Sequence, residues 1–222
     1  MTSPNAPRAV VFDLDGLMFN TEELYQHVGA EMLRRRGKVY EKELVDAMMG
    51  RPAAAALQLM IDYHQLESTV AELSAETDEI FATLLDERLE RMPGLVDLLD
   101  TLDTHGIPKA IATSSGPAFV ERVLGQFDLR PRFHFVLTSA DITHGKPHPE
   151  IYLLAAERFA LAPGHMMVLE DSQNGCRAAI EAGAIAVAVP GGPSREHDFS
   201  GAALVAESLA DRRIYQLLGV TT

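Results

Sequence analysis

The sequence has little cysteine, little positive charge and no long apolar run. Cys176 is the only cysteine among 222 residues, so no disulfide bond can form within the chain. The formal net charge is −13, with 19 basic against 32 acidic residues. This balance argues against a nucleic-acid partner, because phosphate backbones attract basic surfaces. No apolar run approaches membrane-spanning length, and residues 1–9 lack the apolar core and basic start of a signal peptide. We expect a cytoplasmic protein with no membrane partner.

The first third of the chain is predicted to be mostly helical. The composition, 47% hydrophobic and 23% charged, is that of a globular protein with one domain, or one domain carrying an insertion. Residues 8–14, which include an apolar run, predict a buried strand. The segments predicted to be helical after it are residues 21–36, 41–49, 52–64 and 69–91. Four helices with no strand between them indicate a small bundle.

The pattern changes at Pro93-Gly94, after which helices and strands alternate. The predicted helices cover residues 95–104, 117–126, 149–160 and 172–182. The predicted strands cover residues 109–112, 135–137, 166–169 and 184–189. This alternation predicts a parallel sheet of α/β type, to which the first strand also belongs. We therefore predict a core domain of residues 1–17 and 92–222, interrupted by a helical domain of residues 18–91 that lies above the ligand site.

Two carboxylates end the first predicted strand. Asp13 and Asp15 follow the apolar run of residues 10–12 and point to the same side, because side chains alternate along a strand. Gly16 then lets the chain turn. Such a pair can hold a hard cation and can divide nucleophilic and proton-transfer roles. A strand end with an ordinary Asp-Gly turn remains the alternative. A calcium loop is set aside, because residues 17–19 are apolar where oxygen ligands are needed.

Polar residues also follow three later strands. The segments are Thr113-Ser114-Ser115, Lys146 between Gly145 and Pro147, and Glu170-Asp171-Ser172. Taken singly, they read as a helix N-cap, a surface lysine and another helix cap. In a parallel sheet, however, the carboxyl ends of all the strands lie along one edge. Together the segments provide oxygen ligands for a cation, donors for an anion and a positive charge, which predicts a catalytic site.

This ordered set of motifs resembles that of the haloacid dehalogenase-like hydrolase superfamily. The resemblance runs from about residue 8 to residue 218, and the helical insertion resembles the small helical cap of that family. It implies a Rossmann-like α/β core with an inserted cap. It also implies a Mg²⁺-dependent phosphatase that hydrolyses a small phosphorylated metabolite, of sugar-phosphate or phosphoglycolate type, through an aspartyl-phosphate intermediate.

The resemblance also implies a role for each motif residue. Asp13 would attack phosphorus, and Asp15 would protonate the leaving alkoxide and later activate water. Thr113 and Ser114, with Ser115 beside them, would hold the phosphoryl oxygens, and Lys146 would neutralise charge on Asp13 and the phosphoryl group. The residues implied as Mg²⁺ ligands are Asp13, Asp171 aided by Glu170, and Asp15 through its backbone carbonyl.

Two other functions stay open. A beta-phosphoglucomutase-like isomerase would be expected to have a histidine where this chain has Tyr25, and a Lys-Asn pair where it has Gly116-Pro117, so a phosphatase is preferred. An inactive sensor of a phosphorylated metabolite would be favoured by the loss of Asp13 or Asp15, and both are present. Asp15 also counts against a dehalogenase.

Arg51 is the leading candidate for a cap residue that reaches the substrate. Its alternative interpretation is a solvated arginine at a helix start. The eight histidines show no metal-ligand spacing, although His148 lies close to Lys146 in the sequence. A monomer is the simplest expectation.

Overall fold

The structure is a computed structural model that describes residues 6–48 and 53–220. The chain divides into two compact units, which we call the sheet unit (Met1–Asn20 with Glu90–Thr222) and the helical unit (Thr21–Leu89). The predicted boundaries, at residues 17/18 and 91/92, lie within three residues of these divisions.

The sheet unit is built on six parallel strands. They are β1 (Ala9–Phe12), β2 (Lys109–Ala112), β3 (Val136–Leu137), β4 (Met166–Glu170), β5 (Ile185–Ala188) and β6 (Leu204–Val205). Their spatial order is β3-β2-β1-β4-β5-β6, and every neighbouring pair is parallel. The predicted α/β fold with a Rossmann-like parallel sheet is confirmed. Because β1 lies between β2 and β4, the residues that follow these three strands are brought to the same edge.

Nine α-helices accompany these strands in the part of the chain that the structure describes. They are α1 (Thr21–Arg35), α2 (Lys42–Met48), α3 (Ala53–His64), α4 (Val70–Arg88), α5 (Leu95–Thr104), α6 (Pro117–Gly125), α7 (Glu150–Arg158), α8 (Gln173–Glu181) and α9 (Arg212–Leu218). None of them combines the length and the apolar composition needed to cross a bilayer. Helix α4 ends at Arg88, three residues before the predicted end, because Leu89 is already extended (φ −67°, ψ 125°).

The core of the sheet unit is built around strands whose residues are mostly apolar. All four residues of β1 are fully buried, as expected for a parallel strand with helices on both faces. On one face, Val11 and Val168 pack in a cluster with Tyr152 of α7 and Ala178 of α8. The Phe12 side chain of β1 points to the opposite face of the sheet, where it makes an edge-to-face contact with the Phe133 ring. The central strands are thus packed on both faces, and the residues at their ends are held in place.

The helical unit is held together mainly by α1 and α4. The Tyr25 ring of α1 stacks on the Phe81 ring of α4, with their centroids 4.2 Å apart. Glu76 of α4 accepts hydrogen bonds from Arg35 and Arg36, at 3.2 and 2.6 Å. The predicted helical segment therefore forms a compact helical unit in the described residues, without strands.

The two linkers that join the units are hydrogen-bonded to each other. Phe19 and Arg91 form an antiparallel bridge. The backbone N–H of Asn20 donates to the Glu90 carbonyl at 3.1 Å, and the Asn20 side chain accepts from the Glu90 N–H at 2.8 Å. The two linkers are thus fixed to each other, and the first makes these contacts four to five residues beyond Asp15.

Candidate active site

Lys146 connects the ends of three strands. Its ammonium donates to Oδ1 of Asp13 at 2.5 Å, to Oε1 of Glu170 at 2.6 Å and to the carbonyl of Ala112 at 3.0 Å. Asp13 directly follows β1, Ala112 ends β2 and Glu170 ends β4. The lysine side chain is only 6% exposed. Lys146 is therefore a buried member of the site, and the surface-lysine interpretation is wrong.

Glu170 is held by donors on three sides. Besides Lys146, its carboxylate accepts from the Tyr152 hydroxyl at 2.6 Å and from Oγ of Ser172 at 3.0 Å. Space for this carboxylate comes from Gly175, where an added Cβ would lie only 1.8 Å from Oε1 of Glu170. A buried charge needs this degree of hydrogen bonding, because an unpaired one is expensive.

The acidic cluster consists of Asp13, Glu170 and Asp171, and all three residues are buried. Each offers one carboxylate oxygen, and these oxygens lie within 4.8 Å of one another. Three carboxylates against the single ammonium of Lys146 leave a formal charge of −2 in the protein interior. Buried charges are normally paired or bound to metals. Oxygen donors with this excess charge fit a hard divalent cation such as Mg²⁺.

The pKa values in this cluster follow from burial and from the neighbouring charges. Burial raises the pKa of Asp13 to about 8; Lys146 opposes the rise, while Glu170 and Asp15 add to it. Burial acts to lower the pKa of Lys146, but Asp13 and Glu170 outweigh it, so that pKa lies well above its usual range. Lys146 therefore stays an ammonium, and the excess of negative charge is expressed as the raised pKa of Asp13.

The Asp15 carboxylate contacts the loop of residues 113–115. Oγ of Ser115 donates to Oδ2 of Asp15 at 2.6 Å, and Oγ1 of Thr113 lies 3.4 Å from the same oxygen. The Thr113 hydroxyl also accepts from the Ser115 backbone N–H at 3.0 Å. Helix α6 has Gly116 as its N-cap and receives no side-chain cap. The N-cap interpretation of these hydroxyls is therefore wrong.

The structure brings together most of the residues predicted for the site. Asp13, Lys146, Glu170 and Asp171 share one buried cluster, and the hydroxyls of Thr113 and Ser115 face Asp15. Ser114, by contrast, is exposed. Arg51 lies outside the described residues.

The sequence matches a protein-family model described as haloacid dehalogenase-like hydrolase, over residues 10–189. The chain belongs to the haloacid dehalogenase-like hydrolase family. Among the curated relatives, a probable pseudouridine-5'-phosphatase of Drosophila melanogaster is 36% identical over 207 residues, covering 90% of this chain and 89% of that protein. The bifunctional riboflavin kinase/FMN phosphatase of Arabidopsis thaliana is 30% identical over 206 residues, which are 92% of this chain. The match covers 54% of that longer relative.

A solved structure agrees with the family assignment. The putative beta-phosphoglucomutase from Thermotoga maritima superposes with a TM-score of 0.80 and 27% sequence identity, covering 95% of this chain and 96% of that one. The haloacid dehalogenase-like fold predicted from the strand-end motifs is therefore confirmed, and this chain is a hydrolase of that family.

Sequence reasoning missed two residues that position Glu170 and one cluster beside Lys146. Tyr152 looks in the sequence like any apolar residue of an amphipathic helix, and its hydroxyl contact with Glu170 follows only from packing. Gly175 lies three residues after Ser172, and the space that it leaves for the Glu170 carboxylate follows only from the packing. The third is a group of His144, His148 and Glu150, whose donor atoms converge although their sequence spacing matches no familiar metal motif.

Proposed function

We propose that this haloacid dehalogenase-like hydrolase is a Mg²⁺-dependent phosphatase of a small phosphorylated metabolite, of sugar-phosphate or phosphoglycolate type. The observation that carries the proposal is the buried cluster in which Lys146 bonds both Asp13 and Glu170. Both relatives described above are named as phosphatases of small metabolites, which supports this reaction class.

The proposed reaction has two displacements at phosphorus. In the first, an oxygen of Asp13 attacks phosphorus, the ester P–O bond breaks, and the leaving alkoxide takes a proton from Asp15. In the second, Asp15 takes a proton from water as the water oxygen attacks the aspartyl-phosphate. The bond to Asp13 then breaks, and inorganic phosphate leaves. Lys146 stabilises the charge that gathers on Asp13 and on the transferring group throughout.

Asp13, Glu170, Asp171 and the backbone carbonyl of Asp15 are the proposed holders of Mg²⁺. When bound, the ion would offset the repulsion between a carboxylate nucleophile and a dianionic phosphate. The loop of residues 113–115 supports the proposed binding of the substrate phosphate. Its residues, Thr113, Ser114 and Ser115, precede the N-terminus of α6, where backbone N–H groups favour anions. Thr113 and Ser115 now contact Asp15, so we propose that phosphate binding redirects these hydroxyls.

A mutase of the beta-phosphoglucomutase type is the second candidate, and the likeness to the Thermotoga maritima structure is the observation that favours it. Such an isomerase must bind two phosphates and needs additional cationic and polar groups. This chain has Tyr25 and Gly116-Pro117 at the two positions where those groups would be expected. We therefore prefer simple hydrolysis.

Hydrolysis of an aryl phosphate with Mg²⁺ tests the proposal. We expect Asp13→Asn to lower kcat at least about 10⁴-fold, since it removes the nucleophile. The matched control is Asp78→Asn, which changes an exposed carboxylate in α4 and should leave kcat unchanged. If the wild-type protein hydrolyses no phosphate ester in a broad panel, the alternative of an inactive sensor of a phosphorylated metabolite would be supported. Interconversion of sugar-phosphate isomers that requires a bisphosphate would support the mutase.

We also propose that the helical unit selects the substrate, because the first linker leaves the sheet unit close to Asp15 in the sequence and is hydrogen-bonded to the second. Arg51→Ala should then change kcat/KM for the metabolite more than for an aryl phosphate, and an equal change would remove Arg51 from substrate selection.

A monomeric state and a cytoplasmic location remain proposals from the sequence, which size-exclusion chromatography and cell fractionation would test.

A further inference from the structure

A second group of metal-ligating side chains lies on the loop that carries Lys146. His144 and His148 flank Lys146 at two residues on either side, and Glu150 opens α7. Both histidines are exposed, whereas the Lys146 side chain is 6% exposed and points to Asp13. The loop thus presents the lysine inward and the two imidazoles outward. None of these three outer residues takes part in the reaction proposed above.

The donor atoms of these three side chains converge on one point. Nδ1 of His144 lies 2.9 Å from Oε2 of Glu150, and Nδ1 of His148 lies 3.9 Å from the same oxygen. The two imidazole rings are 4.6 Å apart between centroids, and one ligand atom from each residue lies within 4.8 Å of the others. Two ligands of a tetrahedral Zn²⁺, each at about 2.1 Å, are roughly 3.4 Å apart. The two distances to Oε2 bracket that separation.

Glu150 is fixed by the backbone and remains ionised. Its Oε1 accepts from the Thr143 N–H at 2.9 Å, and its Oε2 accepts from the His144 N–H at 2.8 Å. These backbone hydrogen bonds, followed by the one from the His144 ring, lower the pKa of Glu150 to about 2. The carboxylate is therefore negative and oriented at neutral pH, and it lies beside two imidazole rings whose nitrogen atoms can bind a metal.

We propose that His144, His148 and Glu150 form a binding site for Zn²⁺ or a similar transition-metal ion, separate from the acidic cluster of Asp13, Glu170 and Asp171. Two imidazoles with one carboxylate are a donor set for such ions, whereas a site made of carboxylate oxygens alone suits Mg²⁺. Three protein ligands leave a coordination position for water. The Glu150 N–H now donates to Nδ1 of His148 at 3.3 Å, and in the metal-bound form that lone pair would turn to the ion.

Equilibrium dialysis of the untagged full chain against Zn²⁺, with excess Mg²⁺ present, tests the site. We expect His144→Gln and His148→Gln each to remove one bound zinc per chain, or to raise its Kd by at least about tenfold. Changes to groups outside the coordination shell already weaken binding by about 10–100-fold. The matched control is His105→Gln, which changes another exposed histidine of the sheet unit and should retain this zinc. Asp171→Asn, which alters the acidic cluster, should retain it too.

X-ray absorption of the zinc-loaded protein gives an independent measurement, with scattering from two imidazoles expected. The melting temperatures of the variants show whether each one folds. The proposal is overturned if the wild type and both histidine variants bind zinc equally, if the wild type binds none, or if His105→Gln weakens binding as much as the other two. Failure of any of these measurements would leave the phosphatase proposal intact, because that proposal uses none of the three ligands.

Discussion

Gly175 leaves the space that the Glu170 carboxylate occupies, in the first turn of α8. A methyl group added there would lie 1.8 Å from Oε1 of Glu170, so Gly175→Ala must displace that carboxylate. A displacement of about 1 Å in a catalytic site can cost roughly 10²-fold in rate. We expect Gly175→Ala to lower kcat by about that factor, as measured by phosphate release.

Gly125→Ala is the matched control for this prediction. Gly125 ends α6, and an added Cβ there meets no atom within 4 Å. Its activity should equal that of the wild type, with a stability change within about 0.5 kcal/mol. Equal activity of Gly175→Ala and Gly125→Ala would show that the position of Glu170 is unimportant.

Helix α4 begins with a capping box formed by Thr69 and Glu72. The Thr69 hydroxyl accepts from the Glu72 N–H at 3.2 Å, and the Glu72 carboxylate accepts from the Thr69 N–H at 2.8 Å. Thr69→Ala should therefore lower the free energy of unfolding by about 1 kcal/mol, measured by urea denaturation. Ser74→Ala, at an exposed position inside the same helix, should leave it unchanged or slightly higher. A loss of similar size in both variants would contradict the capping role.

Among the elements, those that carry the site were the ones most readily predicted. Strand β2 was predicted with both its bounds, and β1 and β4 were predicted because their apolar runs end abruptly in polar motifs. Strand β6 and helix α9 were missed; they have only two and seven residues and follow the last of the polar strand-end motifs, so no motif marks them. The contact of Tyr152 with Glu170 depends on tertiary packing, and the convergence of His144 with Glu150 depends on the conformation of one loop; sequence patterns encode neither.

For the whole molecule, the excess of buried carboxyl groups over ammonium groups in the acidic cluster predicts that stability depends on Mg²⁺. A ligand that binds only the folded state at a hundred times its Kd adds about 2.7 kcal/mol. A protein of this size gains roughly 2–4 °C per kcal/mol, so we expect saturating Mg²⁺ to raise the melting temperature by about 5–10 °C. Asp171→Asn should lose most of this shift. Its metal-free form should be no less stable than the metal-free wild type, because one buried charge is gone.

The control for the Mg²⁺ measurement is Asp78→Asn, whose exposed carboxylate lies in α4 of the helical unit. It should show the full wild-type shift in a thermal scan with and without chelator. A shift that Asp171→Asn and Asp78→Asn both retain would place the stabilising ion outside the acidic cluster.

Trapping of the covalent intermediate tests the central claim most directly. Asp15→Asn removes the group that activates water, so a phosphorylated enzyme should accumulate during reaction with an aryl phosphate and Mg²⁺. After acid quenching and digestion, mass spectrometry should find one phosphoryl group on the peptide that contains Asp13, and none when Asp13→Asn is added. A phosphoryl group on another residue, or active enzyme that never carries one, would contradict the account.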